Sequence, residues 1–199
     1  MKKINFDKKS VENFYWLNEP HEHYFDDGLI IKTEPNTDFW QRTHYGFKND
    51  NGHCYLTTLE EDFSFTTHLE FEPQTMYDQC GLFIRIDKNN WIKISTEYED
   101  ENESKLGSVV TNLGYSDWAT TDISSDIKSM WYRVNKRGND FLIENSRDGE
   151  NWSQMRITHL HKEVEELEVG IYACSPKDGS FKCKVNEIII SKNQWKREE

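Results

Sequence analysis

Two runs near the middle of the chain carry the side chains whose types and spacing could do chemistry. From Gly81 to Ile86 and from Trp91 to Glu97 the residues alternate, so Phe83, Arg85, Trp91, Lys93, Ser95 and Glu97 share one face of a hairpin. Leu82, Ile84, Ile86, Ile92 and Ile94 share the other face, which must be core. Two large rings beside Arg, Lys and Glu suit a polyhydroxylated ligand. A ring offers a flat apolar platform to the C–H face of a sugar, and charged planar groups hydrogen-bond its hydroxyls. The residues also admit a plainer reading, in which Phe83 and Trp91 pack across the strands and Lys93 with Glu97 is a surface ion pair contributing at most about 1 kcal/mol.

Metal and thiol chemistry have less behind them. His21-Glu22-His23 and His159-Leu160-His161 each put two imidazoles on one side of a strand, but no third ligand is visible, so surface histidines are expected and no metal site is assigned. Cys54, Cys80, Cys174 and Cys183 never form a CxxC pair, which disfavours zinc and thioredoxin-like motifs. Buried thiols are expected, with a contact between Cys174 and Cys183 across a hairpin left open. The acidic run from Tyr98 to Glu103 lacks the turn glycine of an EF-hand loop and reads as a solvated hairpin loop.

The balance of 24 Lys and Arg against 36 Asp and Glu, a net charge of −12, argues against nucleic acid and anionic membranes as partners, because both require a cationic surface. With 35% hydrophobic residues, no stretch approaches the roughly 20 apolar residues of a spanning helix. An aromatic content of 14%, with 7 Trp, 9 Tyr and 11 Phe, belongs to a chain that buries large rings. The basic start Met1-Lys2-Lys3 has no apolar run behind it, so no secretory signal is read and a cytoplasmic location is expected. The length of 199 residues suits one domain covering 1–199.

The elements that must position these side chains are strands. In Phe63 to Glu72 the apolar Phe63, Phe65, Leu69 and Phe71 alternate with Ser64, Thr66, His68 and Glu70. Further period-2 runs occur at Leu106 to Thr111, Trp131 to Asn135, Phe141 to Asn145, Val169 to Ala173 and Lys182 to Ile190, separated by turn signals such as Asn49-Asp50-Asn51-Gly52 and Arg137-Gly138-Asn139-Asp140. Ser146-Arg147-Asp148-Gly149-Glu150-Asn151-Trp152 reads as a tight turn resembling a shortened Asp-box, structural in role, with Trp152 folding back onto the sheet. Only Leu160, Val164 and Leu167 hint at a helix. Antiparallel β with little helix is the expectation.

Several phrases occur in a telling order: Thr37-Asp38-Phe39-Trp40-Gln41-Arg42-Thr43-His44-Tyr45-Gly46-Phe47, Tyr77-Asp78-Gln79-Cys80-Gly81-Leu82, Asn90-Trp91-Ile92-Lys93 with Glu97, Ser116-Asp117-Trp118 and Cys174-Ser175-Pro176. Together they resemble the DUF1349 family, labelled in some classifications after an enolase regulator, from about Trp16 to about Ile190. The resemblance implies an all-β, concanavalin A-like jelly-roll sandwich of two curved antiparallel sheets. It also gathers the matched residues on the concave sheet and its rim. Trp40, Thr43, Asp78, Gln79, Arg85 and Trp91 would line a cleft there, together with Lys93, Glu97, Thr111, Asp117 and Trp118. Asp78 has the alternative of capping a strand, and Ser116-Asp117-Trp118 that of an Asx turn with a core Trp. Cys80 departs from the small residue usual at its position, which should alter packing rather than function.

A lectin-like domain binding a small saccharide or polyol on the concave face is the leading functional reading. A regulatory protein-interaction domain follows the family label. A glycoside hydrolase would use Glu97 with Asp78 or Asp117 as its carboxylate pair, but Glu97-Tyr98-Glu99-Asp100-Glu101 does not fit the Glu-x-Asp-x-x-Glu strand of the bacterial glucanases with this fold. No cofactor is expected, with calcium left open because some concanavalin-like domains hold it by rim carboxylates; a homodimer is also left open.

Overall fold

The computed structural model describes residues 1–7 and 9–196. The strands are β1 (Lys2–Ile4), β2 (Tyr15–Leu17), β3 (Glu22–Phe25), β4 (Leu29–Lys32), β5 (Phe39–Gln41) and β6 (Lys48–Asp50). They continue as β7 (His53–Leu59), β8 (Phe63–Glu72), β9 (Gln79–Asp87), β10 (Asn90–Tyr98), β11 (Glu103–Asn112) and β12 (Tyr115–Ser124). The last are β13 (Ser129–Arg137), β14 (Asp140–Ser146), β15 (Ser153–His159), β16 (Leu167–Cys174) and β17 (Lys182–Lys192). No helix occurs among the described residues, so none is long and apolar enough to cross a membrane. Leu160, one of the residues that hinted at a helix, is fully buried and bonds back to the Asn139 carbonyl instead.

Two large antiparallel sheets form the expected all-β sandwich. One runs β15-β14-β13-β8-β17-β4-β3 with β1 added beside β17, and the other runs β12-β11-β10-β9-β16-β7-β2. Between them lies the main core. Leu82, Ile84, Ile92 and Ile94 from β9 and β10 meet Phe65, Leu69, Val134, Ile143 and Ile188 from the facing sheet, all buried. The anticipated apolar face of β8, Phe63, Phe65, Leu69 and Phe71, belongs to this core too.

Local chemistry sets the hairpins. Between β10 and β11 the Asp100 carboxylate accepts the amides of Asn102 and Glu103 at 2.8 and 3.0 Å, which closes the acidic loop. After β14, Asp148 accepts the amides of Glu150 and Asn151, Gly149 takes φ +76°, and Trp152 lies under the Arg133 guanidinium at 3.9 Å. All four thiols are free and buried. Cys174 and Cys183 do not face each other across a hairpin, because β16 and β17 belong to different sheets; Cys183 shares the inter-sheet core with Cys80.

The hairpin β9–β10 has the alternation read from sequence, with Lys93 opposite Phe83, Trp91 opposite Arg85 and Glu97 opposite Gln79. One expectation fails on its outer face. Phe83 and Trp91 are fully buried in a second apolar cluster with Phe39, Leu56, Tyr172 and Cys174. The short hairpin β5–β6 folds over that end of the sheet and sets the Phe39 ring 4.5 Å from Phe83 and 6.1 Å from Trp91. Gly52 is required there, since a Cβ would stand 2.4 Å from the Phe39 ring. Trp91 is therefore a core residue. Trp91→Ala should lower the free energy of unfolding by about 3–5 kcal/mol in urea titration; a loss below about 1 kcal/mol would return Trp91 to the surface.

Candidate functional site

What β5–β6 leaves uncovered on the outer face of the seven-stranded sheet is a pocket of about 500 Å³. Three residues of the hairpin β9–β10, namely Gln79, Lys93 and Glu97, line it. Antiparallel pairing sets Gln79 beside Glu97, and the period of 2 brings Lys93 to the same face.

A chain of polar contacts ties these residues together. Asp38 Oδ1 accepts from Lys93 Nζ at 3.2 Å, and Lys93 Nζ also donates to Gln79 Oε1 at 2.9 Å. The Tyr172 hydroxyl donates to the same Gln79 oxygen at 3.0 Å. With its oxygen claimed twice, Gln79 turns Nε2 toward Glu97 Oε2 at 2.5 Å and toward the Tyr77 carbonyl at 3.1 Å. Each hydrogen-bonding group of the Gln79 amide has a fixed partner, so its orientation is determined.

Aromatic rings form the walls. Trp40, Tyr45 and Phe47 come from β5 and the loop after it, Trp118 from β12 and Tyr77 from the segment before β9. Tyr45 and Phe47 stack at 5.5 Å with 20° between planes, both exposed, and Trp40 meets Tyr45 edge-on. The loop is held in a demanding conformation. Arg42 and His44 have φ of +58° and +63°, uncommon for residues with a Cβ. Arg42 compensates by donating from Nη1 to the Gly114 carbonyl at 2.6 Å, while its amide bonds the Phe47 carbonyl at 2.9 Å. These contacts shape the loop that carries the Tyr45 and Phe47 rings.

Burial governs the charges. The Glu97 carboxyl is pushed up to about 7, because burial disfavours its ionised form; the Lys93 ammonium opposes the shift, and the Asp38 and Glu99 carboxylates add to it. Burial alone would lower Lys93, but Asp38 and Glu97 are among the groups that hold it above its ordinary value. Glu99, at the rim, is raised by burial first, against the pull of Lys105.

Of the residues expected in the cleft, Trp40, Gln79, Lys93, Glu97 and Trp118 meet at this pocket. Thr43 supports it through its carbonyl, which accepts from Trp40 Nε1 at 3.0 Å. Five expectations need correction. Trp91 is core, as described. Arg85 is drawn away between Asp50 at 3.3 Å and Glu168 at 3.4 Å. Asp78 is buried and accepts from the amides of Gln74 and Thr75 and the Ser175 hydroxyl, so it caps the entry to β9. Thr111 is buried against the Ser116 hydroxyl, which accepts the Gln41 amide and so pins β5 to β12. Asp117 alternates away from Trp118 and pairs with Arg156 at 2.5 Å. Ser116-Asp117-Trp118 thus lies inside β12, and Trp118 is 40% exposed rather than core. With Asp78 and Asp117 elsewhere, neither supplies a second carboxylate beside Glu97 for glycoside hydrolysis.

The sequence reading missed Asp38, Tyr45, Phe47, Tyr77, Glu99 and Lys177, which also line the pocket. The dense aromatics from Phe39 to Phe47 were the available signal. The histidine pairs stay apart from this site: His23 lies against Trp16 at 4.7 Å and His159 bonds Asp140 at 2.7 Å. Among the described residues no three His, Cys, Asp or Glu gather to hold a metal.

Three comparisons place the chain among known proteins. A family model described as a protein of unknown function, DUF1349, matches residues 16–193. "Regulation of enolase protein 1" of Saccharomyces cerevisiae is 32% identical over 173 residues, 86% of each chain. The crystal structure of a functionally unknown protein from the same yeast superposes with a TM-score of 0.86 at 29% identity, covering 93% of this chain and 99% of that one. The GH43 BlXynB protein from Bacillus licheniformis matches in fold, with a TM-score of 0.68 at 14% identity; the likeness covers 89% of this chain and 36% of that one.

The raised Glu97 carboxyl has a consequence for stability. From the ordinary value of 4.5 up to about 7 the folded state keeps a proton that the unfolded chain has lost, so Glu97 makes the fold less stable as pH rises through that window. Glu97→Gln mimics the neutral acid. Thermal melts should show it close to wild type at pH 5 and more stable at pH 8, by on the order of 1–3 kcal/mol. A wild type that is the more stable of the two at pH 8 would mean the carboxylate is favoured by its surroundings.

Proposed function

The chain belongs to the DUF1349 family, and from that premise we propose that its outer-face pocket binds a small saccharide or polyol without catalysis. One observation carries this reading: aromatic walls stand over a hydrogen-bonded floor of Lys93, Gln79 and Glu97. Hydroxyl-bearing ligands need both parts. Their C–H faces gain from stacking, and their hydroxyls lose water unless donors and acceptors replace it. The volume of about 500 Å³ falls within the range of small-molecule sites.

Lys93 and Glu97 contribute differently. Lys93, held by Asp38 and Gln79, has a third N–H direction available as a donor. Glu97 has one oxygen engaged by Gln79 and accepts with the other. A regulatory role is compatible with such a site if saccharide binding reports to a partner protein. The name of the yeast relative suggests regulation of enolase for that protein. The cytoplasmic setting we propose for this chain would offer soluble sugars rather than cell-wall polymers.

A saccharide and polyol array followed by calorimetry tests the reading. Trp118→Ala should weaken binding at least about tenfold, roughly 1.4 kcal/mol, with the fold intact because the side chain is exposed. Asp117→Asn should leave it unchanged. Absence of any saccharide or polyol binding, or equal binding by Trp118→Ala, would overturn the proposal.

A further inference from the structure

The pocket has an imbalance of charge that a neutral sugar does not correct. Lys93 is claimed by Asp38 and Gln79. Lys105, opposite Glu97 on β11, is held by Glu103 and by Asp122 at 2.7 Å. Lys177 sits over the Tyr77 ring, its Nζ 5.1 Å from the centroid. Glu97 and Glu99 both line the cavity, and among the described residues neither has a salt-bridge partner. Glu97 is the more constrained: its Oε2 is fixed by Gln79, and its Oε1 has no hydrogen-bond partner among those residues.

Resting on the saccharide reading, we propose that the ligand is an amino-saccharide or amino-polyol whose protonated amine seats between Glu97 and Glu99 and whose carbon skeleton lies against the rings of Trp118, Tyr45 and Phe47. Three features favour this class. A cation on the ligand supplies the partner the two carboxylates lack, in surroundings where burial strengthens the attraction. The rings have negative faces that attract an ammonium or the polarised C–H groups next to it, as Tyr77 already does with Lys177. Arg85 points away to Asp50 and Glu168, which leaves a sugar phosphate or sugar acid facing three carboxylates, Asp38, Glu97 and Glu99, against two cations, Lys93 already paired with Asp38 and Lys177 over the Tyr77 ring.

The proposal has a proton signature. The groups around Glu97 are Lys93 and Gln79 on its own hairpin, Asp38 ahead of β5, Tyr77 ahead of β9, Glu99 at the rim, Lys105 on β11, and Tyr172 and Cys174 on β16. An added ammonium favours the carboxylate among them, so the neutral Glu97 fraction loses its O–H proton to solvent as the ligand binds. No bond within the ligand changes.

The test uses matched probes at pH 7.0: glucamine, whose amine stays protonated, against sorbitol, and the glucosamine disaccharide against cellobiose. Calorimetry should give at least tenfold tighter binding for glucamine than for sorbitol and a tighter disaccharide when the amines are present. Glucamine titrated in buffers of different ionisation enthalpy should show net release of protons, since the raised Glu97 carboxyl is partly protonated near neutral pH and ionises against the ammonium. Glu99→Gln should shrink the amine preference, and Glu97→Gln should abolish both preference and proton release while melting as a folded protein. Sorbitol or cellobiose binding as tightly as its amine counterpart would overturn the amine inference and leave the saccharide reading standing. Failure of both amine probes to bind would overturn the amine inference, and a blank saccharide and polyol array would overturn the saccharide reading with it.

Discussion

One ring makes the site: Phe39, wedged among Phe83, Trp91 and Tyr172 on the outer face of the seven-stranded sheet. Centroid separations of 4.5–6.3 Å are those of interacting aromatic pairs, so the wedge contributes packing beyond area alone. Its neighbours in sequence then have fixed destinations. Asp38 meets Lys93, and Trp40 forms part of the ring wall. Without the wedge β5–β6 would keep its polar ties to Ser116, Gly114 and Lys93 but lose its apolar hold on the sheet, and Lys93 and Glu97 would be more open to water.

Closure has an electrostatic cost that the structure meets only in part. Burying Lys93 is tolerable because Asp38 and Gln79 complete its surroundings; removing Asp38 would leave its buried charge unpaired, and removing Gln79 would leave one of its N–H groups without an acceptor. Glu97 is the unfinished part. It has a neighbour in Lys93 and a donor in Gln79, yet its carboxyl remains easier to protonate than a free glutamate. A group kept near its midpoint at neutral pH beside a ring-walled cavity is a common mark of a functional position. Here it also explains why the pocket would prefer one class of ligand over its neutral analogue.

The sandwich was legible because its evidence is periodic. Leu82, Ile84, Ile92 and Ile94 alternate with polar and aromatic residues, and pairing of β9 with β10 follows from the turn at Asp87 to Asn90. The identity of the outer face was not. Alternation says that Phe83, Arg85, Trp91, Lys93 and Glu97 share a side but not what lies on it, and the cover comes from strands of three residues, too short to announce a partner. Hence alternation puts Lys93 and Glu97 on the face that carries the pocket, but it does not separate the buried Trp91 from an exposed platform, and it carries no sign of Asp38, which arrives from 55 residues away. Asp78 and Asp117 show the converse limit. Carboxylates near a matched phrase attract functional readings, yet amides and hydroxyls engage both oxygens of Asp78, and Asp117 is an exposed partner of the Arg156 guanidinium.

The central claim, that closure of the outer face holds Glu97 poised for an incoming cation, is most directly tested by following the ¹³C resonance of its side-chain carboxyl against pH. The account predicts a midpoint near 7 in the free protein and a lower one with glucamine bound. A midpoint at the ordinary glutamate value in the free protein, or one that does not move with glucamine, would contradict it.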